Sequence, residues 1–181
     1  MTDKNIPTPE ELRKLLRYEP ETGKLFWLPR PEDTFPDKRY ALTWNKRYAG
    51  AEAFKTADGN GYLQGAVHGV VYKTHRVIWA IVTGEWPKDE IDHRNRNRSD
   101  NRWKNLREAT RSENMQNAGV RSDNKSGYKG VCWDRNKMKW LAQITIGGDS
   151  RFLGLFETKE LAADAYREAS KAHFGEFARM R

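Results

Sequence analysis

The stretch Ile91-Asp92-His93-Arg94-Asn95-Arg96-Asn97-Arg98-Ser99-Asp100-Asn101-Arg102-Trp103-Lys104-Asn105-Leu106-Arg107-Glu108-Ala109-Thr110-Arg111-Ser112-Glu113-Asn114 decides how this chain is read. It begins as a short strand, crosses a polar loop, returns as a second short strand around Leu106 and enters a helix at Thr110. Glu113, three residues after Thr110, completes a capping box. The predicted order is β, β, α. Asp92 and His93 are neighbours on an extended segment, so their side chains diverge. Between Ile91 and Ser112, Arg94, Arg96, Arg98, Arg102, Lys104, Arg107 and Arg111 face only Asp92, Asp100 and Glu108 as opposing charge, a loop suited to neutralising backbone phosphates.

Upstream, Thr74 caps a predicted helix in which Val77, Ile78, Ile81 and Val82 form a buried stripe, with Gly84 beyond its end. Nearer the start, Thr8-Pro9-Glu10-Glu11 carries an N-cap, a proline at the first helical position and a capping-box glutamate. Leu12, Leu15 and Leu16 are expected to share one face of that helix. Residues 24–28 form a predicted strand after a turn at 19–23, and further strands flank 58–61 and 68–69. Downstream, residues 118–126 have the composition of a linker. Three antiparallel strands are predicted at 128–135, 139–146 and 151–156. Thr158 then caps a helix whose stripe is Leu161, Ala162, Ala165, Tyr166, Ala169 and Ala172, ending before Gly175.

The segment around His93 resembles the HNH nuclease family, in particular its phage and intron-encoded branch with the pattern DH…DNR..NLR..T..EN. Thr74-His75-Arg76-Val77 and residues 19–27 extend the likeness upstream. Asn105 and Asn114 follow His93 by twelve and twenty-one residues, as in that pattern. The resemblance implies a ββα-metal core that hydrolyses DNA, with His93 as general base. An imidazole, of ordinary pKa about 6.5, accepts a proton near neutrality without permanent charge. It implies that Asp92 and Asn114 give hard oxygen ligands to one divalent ion, Mg²⁺ ahead of Mn²⁺, and that Asn105 ties the loop and orients His93. Asn95, Asn97 and Asn101 are read as turn-tolerant loop residues. His75 is read as a capping or packing residue near the site, and His68 and His173 as turn and surface histidines.

Residues 127–178 resemble the AP2 DNA-binding domain through Ser126-Gly127-Tyr128-Lys129-Gly130-Val131, Lys139-Trp140-Leu141-Ala142-Gln143-Ile144, Phe152-Leu153-Gly154-Leu155-Phe156 and Ala162-Ala163-Asp164-Ala165-Tyr166. The resemblance implies a three-stranded sheet laid in the major groove and braced by a helix. Period two puts Trp140, Ala142, Ile144 and Ile146 on the helix side and leaves Lys139, Gln143 and Thr145 towards DNA. Position in the motif adds Lys129, Trp133, Arg135, Lys137 and Arg151 as DNA contacts. Cys132, Gln143, Thr145 and Ser150 stand where arginine or glutamate is usual, so a target cannot be copied from relatives.

Composition agrees with a nucleic-acid partner. The 181 residues hold 33 Lys plus Arg against 25 Asp plus Glu, a formal charge of +8. A single cysteine, Cys132, excludes an internal disulfide and paired-cysteine zinc ribbons. No apolar run approaches a membrane span and the first residues lack a secretion signal, so the expectation is a cytoplasmic protein, in a bacterial host if phage-encoded. The expected fold is α+β in four segments: an amino-terminal α+β region (1–70), an HNH unit (71–117), a linker (118–126) and an AP2-like unit (127–181). The leading reading is a metal-dependent endonuclease acting on double-stranded DNA, with a homodimer left open. A catalytically silent DNA-binding regulator and a structure-selective phage nuclease are the alternatives.

Overall fold

The computed structural model describes residues 6–120 and 123–178. Residues 1–5, 121–122 and 179–181, which the expected amino-terminal, linker and carboxyl-terminal segments include, lie outside the described residues. The fold is α+β, in two compact units, 1–108 and 109–181.

The first unit opens with helix α1 (Pro9–Leu15), capped by Thr8 and Glu11 in a reciprocal box. The helix ends one residue sooner than its leucine spacing suggested. Leu16 is extended and begins strand β1 (Leu16–Glu19), which pairs antiparallel with β2 (Lys24–Trp27). Helix α2 (Lys38–Tyr48), capped by Asp37, was not anticipated; its inner face is Ala41, the one buried residue, with Trp44 packed on Trp27. Strand β3 (Glu52–Ala53) completes the β1–β2–β3 sheet. Strands β4 (Thr56–Ala57), β5 (Leu63–Val67) and β6 (Val70–Lys73) form a second sheet around the two expected turns.

Helix α3 (Thr74–Thr83) ends at Gly84 in the left-handed conformation, as expected. Its N-cap is Lys73 rather than Thr74, whose hydroxyl instead donates to Phe54 O at 3.1 Å. Strand β7 (Glu90–His93) pairs with β8 (Leu106–Ala109). Leu12, Leu16, Leu25, Val67, Val77, Ile78, Ile91 and Leu106 belong to one buried cluster. The amino-terminal region therefore shares its core with the strands that carry Asp92 and His93.

The second unit begins before, not after, helix α4 (Arg111–Asn117), which is capped by Thr110 and Glu113 as predicted. Helix α4 is tied to residues downstream of the expected linker at 118–126: Tyr166 OH donates to Gln116 Oε1 at 2.8 Å, and Lys129 Nζ donates to Gln116 O at 2.9 Å. Strands β9 (Val131–Asp134), β10 (Lys139–Ile146) and β11 (Asp149–Phe156) form an antiparallel sheet in the order β11–β10–β9, crossed on one side by α5 (Lys159–Phe174). The buried face of α5 is Ala162, Ala163, Tyr166, Ser170 and Phe174; Leu161 and Ala172, assigned to the stripe from sequence, are exposed.

Gly130 shows how tightly helix and sheet meet. It sits at φ +68°, and a Cβ there would fall 2.2 Å from the Tyr166 ring and 2.5 Å from Gln143 O. Gly130→Ala is expected to destabilise the second unit by about 2–4 kcal/mol through backbone strain and overpacking. Chemical denaturation checks this, and an unchanged midpoint would contradict the packing described.

Candidate active site

Asp92 and His93 lie at the end of β7 and are buried, at 5% and 3% exposure. The loop beyond them is stitched by asparagines. Asn97 N donates to Asn95 Oδ1 at 2.8 Å, Ser99 N to Asn97 Oδ1 at 3.1 Å, and Asn95 Nδ2 to Asp100 Oδ2 at 2.6 Å. Asn105 closes the loop: its Oδ1 accepts from Asn95 N at 2.9 Å and its Nδ2 donates to Asp100 O at 2.7 Å.

The side chain that meets His93 is Asn101, which its sequence context marks only as a loop residue. Asn101 is 1% exposed, and its Oδ1 lies 3.0 Å from His93 Nε2. An amide oxygen only accepts, so this contact favours the tautomer with its proton on Nε2, in which Nδ1 is the basic nitrogen. Asn105 therefore shapes the loop, while Asn101 orients the imidazole. The signal for Asn101 was faint because asparagine in a polar loop is the ordinary turn residue.

Asn101 is itself held from the amino-terminal hairpin. Tyr18 OH donates to Asn101 O at 2.8 Å, and Trp103 N donates to Pro20 O at 3.3 Å. Gly23, at φ +74°, packs so closely that a Cβ would meet Arg102 N at 2.5 Å and the Asn101 carbonyl carbon at 2.6 Å. Here the hairpin β1–β2 acts as a brace for the loop.

Two rings enclose His93 on its other sides. The His75 ring stands edge-on, 5.1 Å between centroids, and Tyr62 lies 5.8 Å from His93 and 5.1 Å from His75. Burial pushes His93 below the ordinary histidine value, against the opposing pull of the Asn101 hydrogen bond and of Asp92. Burial, reinforced by His93, takes His75 down to about 3. His75 is 7% exposed and its Nδ1 has no hydrogen-bond partner among the described residues, so it packs rather than caps.

Asp92 Oδ2 accepts from Arg107 Nε at 2.8 Å and lies 2.8 Å from its Nη2, both side chains buried. Arg107 thus balances a buried carboxylate instead of awaiting a phosphate. Of the predicted phosphate contacts, Arg94 and Arg96 are exposed. Arg98 stacks on Tyr62 at 4.9 Å and donates to Asn60 O, and Arg102 is held by Asp100 through Nε at 2.7 Å.

A family model described as HNH endonuclease matches residues 72–116. Protein 3.8 of Escherichia phage T7 is 32% identical over 110 residues, 60% of this chain and 90% of that protein. "Uncharacterized HNH endonuclease L560" of Acanthamoeba polyphaga mimivirus is 33% identical over 144 residues, 78% of this chain and 70% of that one. The chain belongs to the HNH endonuclease family. Among solved structures, one described as DNA binding and cleavage by the HNH homing endonuclease I-HmuI covers 83% of this chain and 76% of its own, at 17% identity and a TM-score of 0.38.

In this HNH protein the remaining predicted residues lie in the second unit. Asn114 is half-buried on α4. Lys129 Nζ donates to Met115 O at 2.5 Å and to Gln116 O at 2.9 Å, so it satisfies the carbonyl end of α4 rather than facing outward. Trp133 pairs with Trp140, their rings 5.2 Å apart on the helix side, and Arg151 pairs with buried Ile144 on that same side. Both depart from the DNA-facing assignment, because strand register and a bulge between Ala142 and Gln143 set their direction. Gln143 and Thr145 are exposed on the opposite face, with Lys139 at its end, and Arg135 and Lys137 are exposed in the β9–β10 turn.

The buried histidines make stability depend on pH with a definite sign. Below about 6.5 the unfolded chain protonates His75 and the native state does not, so stability present above pH 6.5 is lost as pH falls towards 3. The slope reaches about 1.4 kcal/mol per pH unit for one such group. His75→Phe is expected to fold at pH 7 and to flatten the decline between pH 6.5 and 5, read by urea titration. An identical slope in both proteins would contradict it.

Proposed function

We propose that this chain is a DNA endonuclease that hydrolyses phosphodiester bonds of double-stranded DNA at His93, with the second unit holding the duplex. The observation that carries this reading is a buried imidazole, biased towards its neutral form, whose Nε2 proton is pinned by Asn101 beside the Asp92 carboxylate. Nδ1 takes a proton from water, the resulting hydroxide attacks phosphorus, and the bond to the 3′ oxygen breaks, that oxygen taking a proton from solvent water. His93 ends the step as imidazolium.

Asp92 and Asn114 would hold one divalent ion, Mg²⁺ or Mn²⁺; when bound, it supplies Lewis acidity to the phosphate and the leaving oxygen. Their donor chemistry fits, since a carboxylate and an amide are hard oxygen ligands. Arg107 fixes the carboxylate orientation from behind. One base and one ion per chain imply that each protomer cuts one strand per encounter.

The second unit supports this reading with a sheet whose face opposite α5 is uncovered within that unit and bordered by Arg135 and Lys137. An AP2-like mode, with the sheet against the major groove, fits that architecture.

Wild-type protein is expected to nick supercoiled plasmid with Mg²⁺ or Mn²⁺ and to stop in EDTA. His93→Ala should lose roughly 10²–10⁴-fold in rate; equal cutting by both proteins overturns the base assignment. Because His93 must be neutral to act and burial lowers its pKa, the rate should hold as pH falls from 8 to 6.5 and decline only below. Gly23→Ala, far along the chain from the motif, should slow cutting with little change in DNA affinity by displacing Asn101. Full activity there would contradict the bracing role.

A further inference from the structure

The uncovered face of the β9–β10–β11 sheet has a chemistry of its own. Across β10 and β11 its cross-strand rows are Leu141 with Leu155, Gln143 with Phe152, and Thr145 with Ser150. Phe152 is 64% exposed, a large ring held out to solvent beside an amide. Lone apolar residues on a surface need no explanation, but a ring at the centre of an uncovered sheet face flanked by leucines marks a contact surface. The rim points to the partner: Arg135 and Lys137 are exposed at one end, while Asp134 in the same turn is engaged by the backbone N–H groups of Asn136 and Lys137. Lys139, on the face itself, has its ammonium 2.7 Å from Glu157 Oε1. Arg151 is turned to the helix side. Exposed positive charge thus stands at the β9–β10 end of the face, and its centre is hydrocarbon and amide.

We propose that this face reads A·T base pairs in the major groove, with Gln143 bonding adenine and Phe152, flanked by Leu141 and Thr145, packing on thymine methyl groups. The proposal rests on the reading of the chain as a DNA-cutting protein and names the class of site it prefers. In the major groove, adenine offers an acceptor and a donor that match a glutamine amide, and thymine alone among the four bases presents a methyl group. Guanine is most often read by arginine or lysine, and the centre of this face offers neither. Cations on the rim are left to phosphates, which position without selecting sequence.

The test uses the full chain in EDTA, which prevents cutting, with a random duplex library selected by gel shift. The recovered duplexes should share an A·T-rich core. Rebuilding that core with deoxyuridine for thymidine removes only methyl groups and should weaken binding about fourfold per contacted base. Phe152→Ala should bind dT and dU duplexes equally. Gln143→Ala should lose roughly tenfold at an adenine position. The dU substitution alters only the DNA, so it stays decisive even if a variant folds poorly. A G·C-rich core, no base preference, or equal affinity of the wild type for dT and dU overturns the proposal. A protein that nicks plasmid yet selects no A·T core sinks this inference alone, whereas one that neither binds nor cuts any duplex sinks the nuclease reading as well.

Discussion

A neutral imidazole can carry its proton on either nitrogen, and only one choice leaves a given nitrogen able to accept. The contact between Asn101 Oδ1 and His93 Nε2 makes that choice, and much of the first unit serves to keep it in place. Asn101 is fixed through its carbonyl by Tyr18, and its neighbouring backbone rests against Gly23. Those two residues belong to a hairpin region anchored by Leu16 and Leu25 in the same core as Ile91 and Leu106. A segment that reads as a lead-in of unclear role is thus the far wall of the site. The placement of His93 depends on packing that begins near residue 12.

Electrostatics constrains the other half of the centre. A buried carboxylate is costly unless paired, and Asp92 is paired with Arg107, one strand over in the β7–β8 ribbon. The arginine that sequence assigns to the phosphate-binding excess is the counter-charge that lets Asp92 be buried at all. Arg102 is likewise committed to Asp100. The loop therefore presents fewer cations outward than its composition suggests, with Arg94, Arg96, Arg98, Lys104 and Arg111 left exposed.

Local chemistry was legible in the sequence, and non-local chemistry was not. The capping boxes at Thr8–Glu11 and Thr110–Glu113, the stops at Gly84 and Gly175 and the bounds of β10 depend on residues a few positions apart, and they fall where expected. Helix α2 escaped notice although Asp37 caps it and Ala41, Trp44 and Tyr48 share one face, because that short stripe lies among charged residues and buries only the alanine. The carbonyls that Lys129 meets lie on another element, and the directions of Trp133 and Arg151 follow from register and a bulge, so none of these placements could be read locally. Asn101 shows the same limit most clearly: three asparagines in one loop look alike, and only the fold separates the one that touches His93 from those that turn the chain.

The proposed base chemistry turns on the protonation geometry of His93. Two-dimensional ¹⁵N–¹H NMR of histidine-labelled protein at pH 7 distinguishes the two neutral tautomers by their ring nitrogen shifts. His93 should appear neutral, with its proton on Nε2 and an unprotonated Nδ1, and should lose that bias in Asn101→Ala. A wild-type His93 that carries its proton on Nδ1, or is fully protonated at that pH, would contradict the assignment of the base and of the asparagine that orients it.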